Sequence, residues 1–289
     1  MRFVTFAKNG AQDIGILSDD DQTIVSLTSQ GDIPKCMTDF IAMGDAGMEA
    51  ARRIAANETA EKIPVASVKI LAPIPRPRSS ILCVGRNYLD HVGETDKNAT
   101  VPEHPIIFTK PPFAVIASGD KVDLHPKLSK EVDYEGELAV VIGKTVRNVT
   151  EAEAMDYVFG YTILNDVSAR DLQKRHTQWI IGKSLDTFAP MGPCITHKSL
   201  MPDETNITYV TRVNGEVRQQ AHTKYLIFTI RYLISLLSQG MTLEPGDIIA
   251  TGSPKGVGAG FTPPRFLRKG DVVEITIDGI GTLRNEFTE

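Results

Sequence analysis

The run DYEGELAVVIG, residues 133–143, is rich in Val, Ile and Leu yet carries Glu135 and Glu137 one residue apart. Its β-branched content reads as a strand, and a strand repeats every two residues, so both carboxylates point the same way. Like charges on one face of an apolar strand repel and lose hydration. Two arrangements relieve this. The pair lines the wet face of an antiparallel strand, or a divalent cation between them turns the cost into a gain. The second makes the pair the floor of a metal site.

Downstream, FGYTILNDVSARDLQ places Asp166 at the end of another strand-like run, Tyr161 to Leu164, before a polar stretch that can open a helix. A third carboxylate from a separate strand end completes an all-oxygen facial site, which suits Mg2+ or Mn2+ better than zinc. Zinc patterns are absent: there is no HExxH, and Cys36, Cys83 and Cys194 are too scattered. The same irregular spacing argues against a disulfide framework and fits a reducing cytoplasm.

A length of 289 residues predicts two domains, or one large domain with an appendage. Residues 1–70 read as a small N-terminal α+β domain. It has strands at Phe3–Phe6, Asp13–Leu17 and Thr23–Leu27, then a single helix from about Thr38 to Asn57. Pro73, Pro75 and Pro77 make a stiff connector, and residues 71–289 form the main domain. There, short strands alternate with Gly and Pro turns. Thr229 caps one clear helix that Gly240 stops, and a hairpin turning at Asp278-Gly279 closes the chain. The expected fold class is α+β, mostly β: a mixed β-roll or sandwich with helices at its margin.

The net charge of -5 leaves no general footprint for nucleic acid or an anionic membrane, so an anionic substrate must be met by local Arg and Lys. The first residues, MRFVTFAKNGAQDIG, lack the apolar core of a signal peptide. The most apolar later stretch, YLIFTIRYLISLL, is short and broken by Arg231. A cytoplasmic protein without membrane partners is the expectation.

Three further constellations could carry chemistry. His91 and Glu94, three apart after the turn at Gly85, form a general-base pair if the stretch is helical, or a solvated surface pair. The polar tail from Gly93 to Asn98 reads as a lid, and residues from about Tyr88 to Thr100 are expected to order on ligand binding. Lys183 in IIGKSLDTF is no phosphate-loop lysine, because GxxxxGK[ST] needs glycine where Thr177 stands. A cation there balances a carboxylate cluster or holds an anionic substrate. The turn in IIATGSPKGVG offers backbone amides to a carboxylate.

Taken together, GRNYxxHxxE, FTKPP, DYEGELAVVIGK, NDVSARDLQ, GKSLDTFAPMGP, RVNGE and ATGSPKGVG resemble the fumarylacetoacetate hydrolase family in order over about residues 71–289. The resemblance implies Glu135, Glu137 and Asp166 as Mg2+ or Mn2+ ligands, His91 with Glu94 as a catalytic pair on a lid, and Lys183 as the active-site lysine. It also implies Arg86, Lys110, Gln173 and Thr251 around the substrate, and a homodimer. The implied function is C–C bond cleavage of a small anionic 2-oxo acid through a metal-stabilised enolate, with oxaloacetate decarboxylation expected first. Acylpyruvate hydrolysis and oxaloacetate tautomerisation are the alternatives, and a regulatory scaffold that keeps the fold is the non-enzymatic one.

Overall fold

In the computed structural model, which describes residues 1–29, 33–94 and 100–289, the strand that carries Glu137 runs Gly136–Ile142 with every residue buried. Its residues pack against protein on both faces, and Glu135 and Glu137 are 5% and 1% exposed. The wet-face reading of the pair therefore fails. Alternation along the strand instead divides two cores. Leu138, Val140 and Ile142 enter one apolar cluster with Ile275, Ile277, Leu283 and Phe287, whereas Ala139 and Val141 enter another with Phe3, Phe40 and Phe159. Each fully buried Val, Leu or Ile contributes about 1.5–3 kcal/mol, which is why this central strand tolerates no solvent face.

The large sheet runs, in order, Lys62–Pro64, Thr23–Ser26, Ala11–Leu17, Arg2–Lys8, Ala189–His197, Val158–Asn165, Gly136–Ile142, Ile248–Ala250, Ile81–Gly85 and Ile106–Lys110. The contact of Ile248–Ala250 with Ile81–Gly85 is parallel, and the other neighbours along this path are antiparallel. A second sheet orders Glu216–His222, Thr208–Val213, Val272–Ile277, Gly281–Thr288 and Val122–Asp123. This is the mostly β architecture that the strand-and-turn pattern predicts. The N-terminal segment joins the large sheet through Arg2↔Thr196 and Phe3↔Ile195, and Thr5 Oγ1 donates to Pro73 O at 2.6 Å.

The single helix expected over Thr38–Asn57 is two, Met37–Ala42 and Gly44–Ala55. Gly44 sits at φ 58°, outside the right-handed helical region, and so breaks the chain direction between them. The later helix, Ile230–Ser238, forms as the sequence predicts: Thr229 Oγ1 accepts from Tyr232 N at 3.1 Å, and Ile230, Leu233, Ile234 and Leu237 are buried. The closing hairpin pairs Ile277 with Gly281, so its loop holds three residues around Gly279. Among the described residues, no helix is long and apolar enough to cross a membrane.

Candidate active site

Strand register assembles the acidic cluster. Gly136 pairs with Asn165 and Glu137 with Leu164, so the start of one strand lies beside the end of the next, where Asp166 follows. Glu135 stands just before its strand, pinned by Asp166 N donating to Glu135 O at 2.8 Å and Glu135 N donating to Asn165 Oδ1 at 3.1 Å. One carboxylate oxygen from each of Glu135, Glu137 and Asp166 lies within 4.8 Å of the others, and all three residues are buried.

Cations surround this cluster on one side. Lys183, at the end of the short helix Ile180–Lys183, donates from Nζ to Glu135 Oε2 at 2.7 Å and Asp166 Oδ2 at 2.6 Å. Lys110 Nζ donates to Asp166 Oδ1 at 2.7 Å, to Val167 O at 3.0 Å and to Lys183 O. Arg170 bridges Asp133 Oδ2 at 2.9 Å and Glu135 Oε1 at 2.7 Å, and its Nη2 is buried without a partner. Glu137 receives a backbone donor, Gly252 N, at 2.9 Å. The titration behaviour follows these contacts. Burial pushes the Glu137 carboxyl well up, and Asp166 and Glu135 add to it. Burial acts the same way on Glu135, but Lys183 and Arg170 overrule it and hold that carboxyl below the usual range. Burial lowers Lys183, while Asp166 and Glu135 reverse the effect and keep it protonated. A buried carboxylate lacking a cationic contact, beside two that have them, fits a hard divalent cation bound through oxygen.

Beside the cluster opens a cavity of about 370 Å³ whose wall includes Arg86, His91, Phe108, Gln173, Lys174 and Trp179. His91 Nδ1 pairs with Glu94 Oε2 at 2.7 Å, and Gly256 N donates to Glu94 Oε1 at 2.7 Å, so the carboxylate both orients the imidazole and ties its segment to the glycine-rich turn. The remainder of the expected lid, residues 95–99, lies outside the described residues.

Of the ten residues predicted from sequence, Glu135, Glu137, Lys183, His91, Arg86 and Gln173 line this cavity. Asp166 and Glu94 are bonded to lining residues. Lys110 and Thr251 stand behind the wall: both are fully buried, and Thr251 Oγ1 donates to Leu138 O at 2.9 Å. The glycine-rich turn contributes Ser253 and Ala259 to the wall and the Gly252 amide to Glu137. Sequence reasoning missed Asp133, Arg170 and Trp179. Asp133 shares the alternation of Glu135 and Glu137 and was findable by parity. Arg170 stands four residues after Asp166 in SARD, at the start of the helix Arg170–Arg175. Trp179 stands between the polar run His176–Gln178 and the pair Ile180 and Ile181, and no motif or spacing there marks it as a cavity residue.

The family described as fumarylacetoacetate (FAA) hydrolase C-terminal matches residues 80–288. The chain is 48% identical over 302 residues to oxaloacetate tautomerase YisK of Bacillus subtilis (strain 168), covering 99% of this chain and all of that protein. It is 44% identical to the human mitochondrial oxaloacetate tautomerase FAHD2A, over 88% of this chain and 80% of that one. Among solved structures it resembles a fumarylacetoacetate hydrolase from Exiguobacterium antarcticum, with TM-score 0.86 and 38% identity over 100% of this chain and 99% of that one. A 5-carboxymethyl-2-hydroxymuconate delta-isomerase from Mycobacterium smegmatis matches with TM-score 0.79 and 35% identity, over 100% and 99% of the two chains. With its fold, its acidic cluster and its near-full-length relatives in agreement, this chain belongs to the fumarylacetoacetate hydrolase family of enzymes.

Proposed function

We propose that this protein interconverts the enol and keto forms of oxaloacetate or a closely similar short 2-oxo dicarboxylate. The observation that carries the reading is that a buried, protonated Lys183 and His91, whose ring is bonded to Glu94, face one cavity. One group can hold negative charge and the other can move a proton. The near-full-length similarity to a protein named oxaloacetate tautomerase supports this reaction over the decarboxylation that the sequence motifs put first.

Glu135, Glu137 and Asp166 would hold Mg2+ or Mn2+, which when bound supplies a Lewis acid for the substrate's carboxylate and 2-oxo oxygen. The chain's own residues do the rest. Arg86 and Gln173 on the wall, with the unpartnered Nη2 of Arg170, are donors for substrate carboxylates. His91 accepts a proton from C3 of the keto form while Glu94, bonded at Nδ1, fixes the ring and stabilises the imidazolium. The electron pair of the broken C3–H bond becomes the C2=C3 bond, and the carbonyl pair moves onto the C2 oxygen. Lys183 is the buried cation available to stabilise that oxygen. The imidazolium gives its proton up to that oxygen, directly or through solvent, which completes the enol and restores neutral His91, and the reverse sequence returns the proton to C3. Decarboxylation differs only in drawing the pair from C3–C4, so the same residues would receive it.

The test follows both products at once. Purified enzyme with Mg2+ or Mn2+ is expected to accelerate the loss of the ultraviolet absorbance of enol-oxaloacetate while pyruvate accumulates far more slowly. Pyruvate formed as fast as enol disappears would make the protein a decarboxylase. Faster cleavage of acylpyruvates than of either would make it a hydrolase. A homodimer is proposed from the family resemblance, and sedimentation velocity measures it.

A further inference from the structure

The groups that can hold the reacting end of a substrate in this cavity are charged or polar, but part of the wall is not. Val84, Phe108 and Trp179 are its large apolar side chains. Phe108 is 8% exposed, its ring is edge-on to Trp179 at 5.5 Å, and Lys183 Nζ stands 4.9 Å from its centroid. The apolar patch therefore begins where the charged end stops. Trp179 lies directly across Gly85: a Cβ placed on Gly85 would come within 2.5 Å of Trp179 Cζ3 and 3.0 Å of Cη2. The indole thus occupies the volume that any other residue at position 85 would fill. Its backbone is fixed as well, because Trp179 O accepts from Lys183 N at 3.1 Å at the entry to the helix Ile180–Lys183.

We propose that Trp179 is a specificity-determining residue that ends the cavity on its apolar side, so that the site takes 2-oxo acids with short carbon chains and refuses those with extended acyl tails. This rests on the reading that the charged end binds the chelating head of a 2-oxo acid. With the head held there, a hydrocarbon tail gains nothing beside Arg86 or Lys174 and is driven toward Val84, Phe108 and Trp179. Buried Val84 and Phe108 and the half-buried indole of Trp179 meet it, and forcing extra methylenes against packed side chains is unfavourable. The indole is also the chain's single tryptophan, so its fluorescence reports what reaches this end of the cavity.

The experiment uses the Mn2+-loaded full chain with oxalate and a series of N-alkyl oxamates, which keep one chelating head, do not react, and differ in tail length. Calorimetry and tryptophan fluorescence are expected to show wild-type affinity falling on the order of tenfold or more once the alkyl group overruns the wall. In Trp179→Ala the dependence on tail length should disappear, and in Trp179→Phe it should weaken, with Mn2+ affinity equal in all three proteins. A role confined to holding the Lys183 helix would weaken all oxamates alike. Parallel length dependence in wild type and both variants overturns the proposal, as does a wild type indifferent to length. If Trp179→Ala does not fold, the Trp179→Phe comparison decides by the same criterion. A length cut-off moved by the variants in a protein that does not tautomerise oxaloacetate sinks only the reaction. Tautomerisation with an unmoved cut-off sinks only the role of Trp179.

Discussion

Glu137 shows how a residue can be costly to the fold and necessary to the site. Its carboxyl is pushed up by burial and by Asp166 and Glu135, which means that in its charged form it opposes folding when no cation is present. Glu137→Gln should therefore raise the melting temperature of the metal-free protein. It should also weaken Mn2+ binding on the order of 10² by removing a ligand charge, as calorimetric titration would report. A variant that binds Mn2+ as tightly as wild type would remove Glu137 from the site. Lys183 poses the opposite case, since Asp166 and Glu135 hold its ammonium protonated against the effect of burial. A Schiff base needs a neutral amine. Borohydride added during turnover should trap no adduct, and a mass shift mapped to Lys183 would replace the enolate chemistry with a covalent route.

Among the elements, the turn from Tyr88 to Glu94 matters most, because its chemistry depends on a contact with a distant loop. Glu94 N donates to His91 O at 3.2 Å within the turn, while Glu94 Oε1 is held by Gly256 N, 162 residues away. The carboxylate therefore fixes both the imidazole and the position of the segment that carries it. In Glu94→Gln the charge beside Nδ1 is gone, and the proton-transfer contribution of roughly 10² to 10⁴ should be lost from kcat. Mn2+ affinity should stay at the wild-type value, since Glu94 lies outside the acidic triad. An unchanged kcat for tautomerisation would place the proton transfer elsewhere. The sequence shows His91 and Glu94 at helical spacing but not the Gly256 amide, because a contact across 162 residues has no local signature.

At the scale of the molecule, the N-terminal segment and the main sheet meet at a titratable joint. His197 ends the strand Ala189–His197, its amide donates to Met1 O at 3.0 Å, and its ring sits edge-on to Phe159 at 5.4 Å. Burial, assisted by the nearby α-amino group, Lys198 and Arg52, lowers it to about 4 from an ordinary value of 6.5. Between these values the unfolded chain binds the proton and the folded chain does not. The contribution of His197 is then fully present above pH 6.5 and is lost as pH falls from 6.5 toward 4. Urea unfolding across that window should show a shallower acid-side decline for His197→Gln than for wild type. Identical declines would show that the joint is not proton-linked.

Periodicity and residue chemistry sufficed for much of this protein. Alternation of two marked the strand under Glu137, the approach to Asp166 from its own strand marked the third carboxylate, and Thr229 with Gly240 bounded the later helix. Those signals are local, written in neighbours a few residues apart. The tertiary structure decided the rest. It buried Glu137 on a strand covered on both faces with Glu135 just before it, set Arg170 between Asp133 and Glu135, and buried Lys110 and Thr251 outside the cavity lining. It also laid Trp179 over Gly85. Each of these depends on strand register and on the packing of one layer against another, which bring together side chains whose separation in sequence carries no periodic trace.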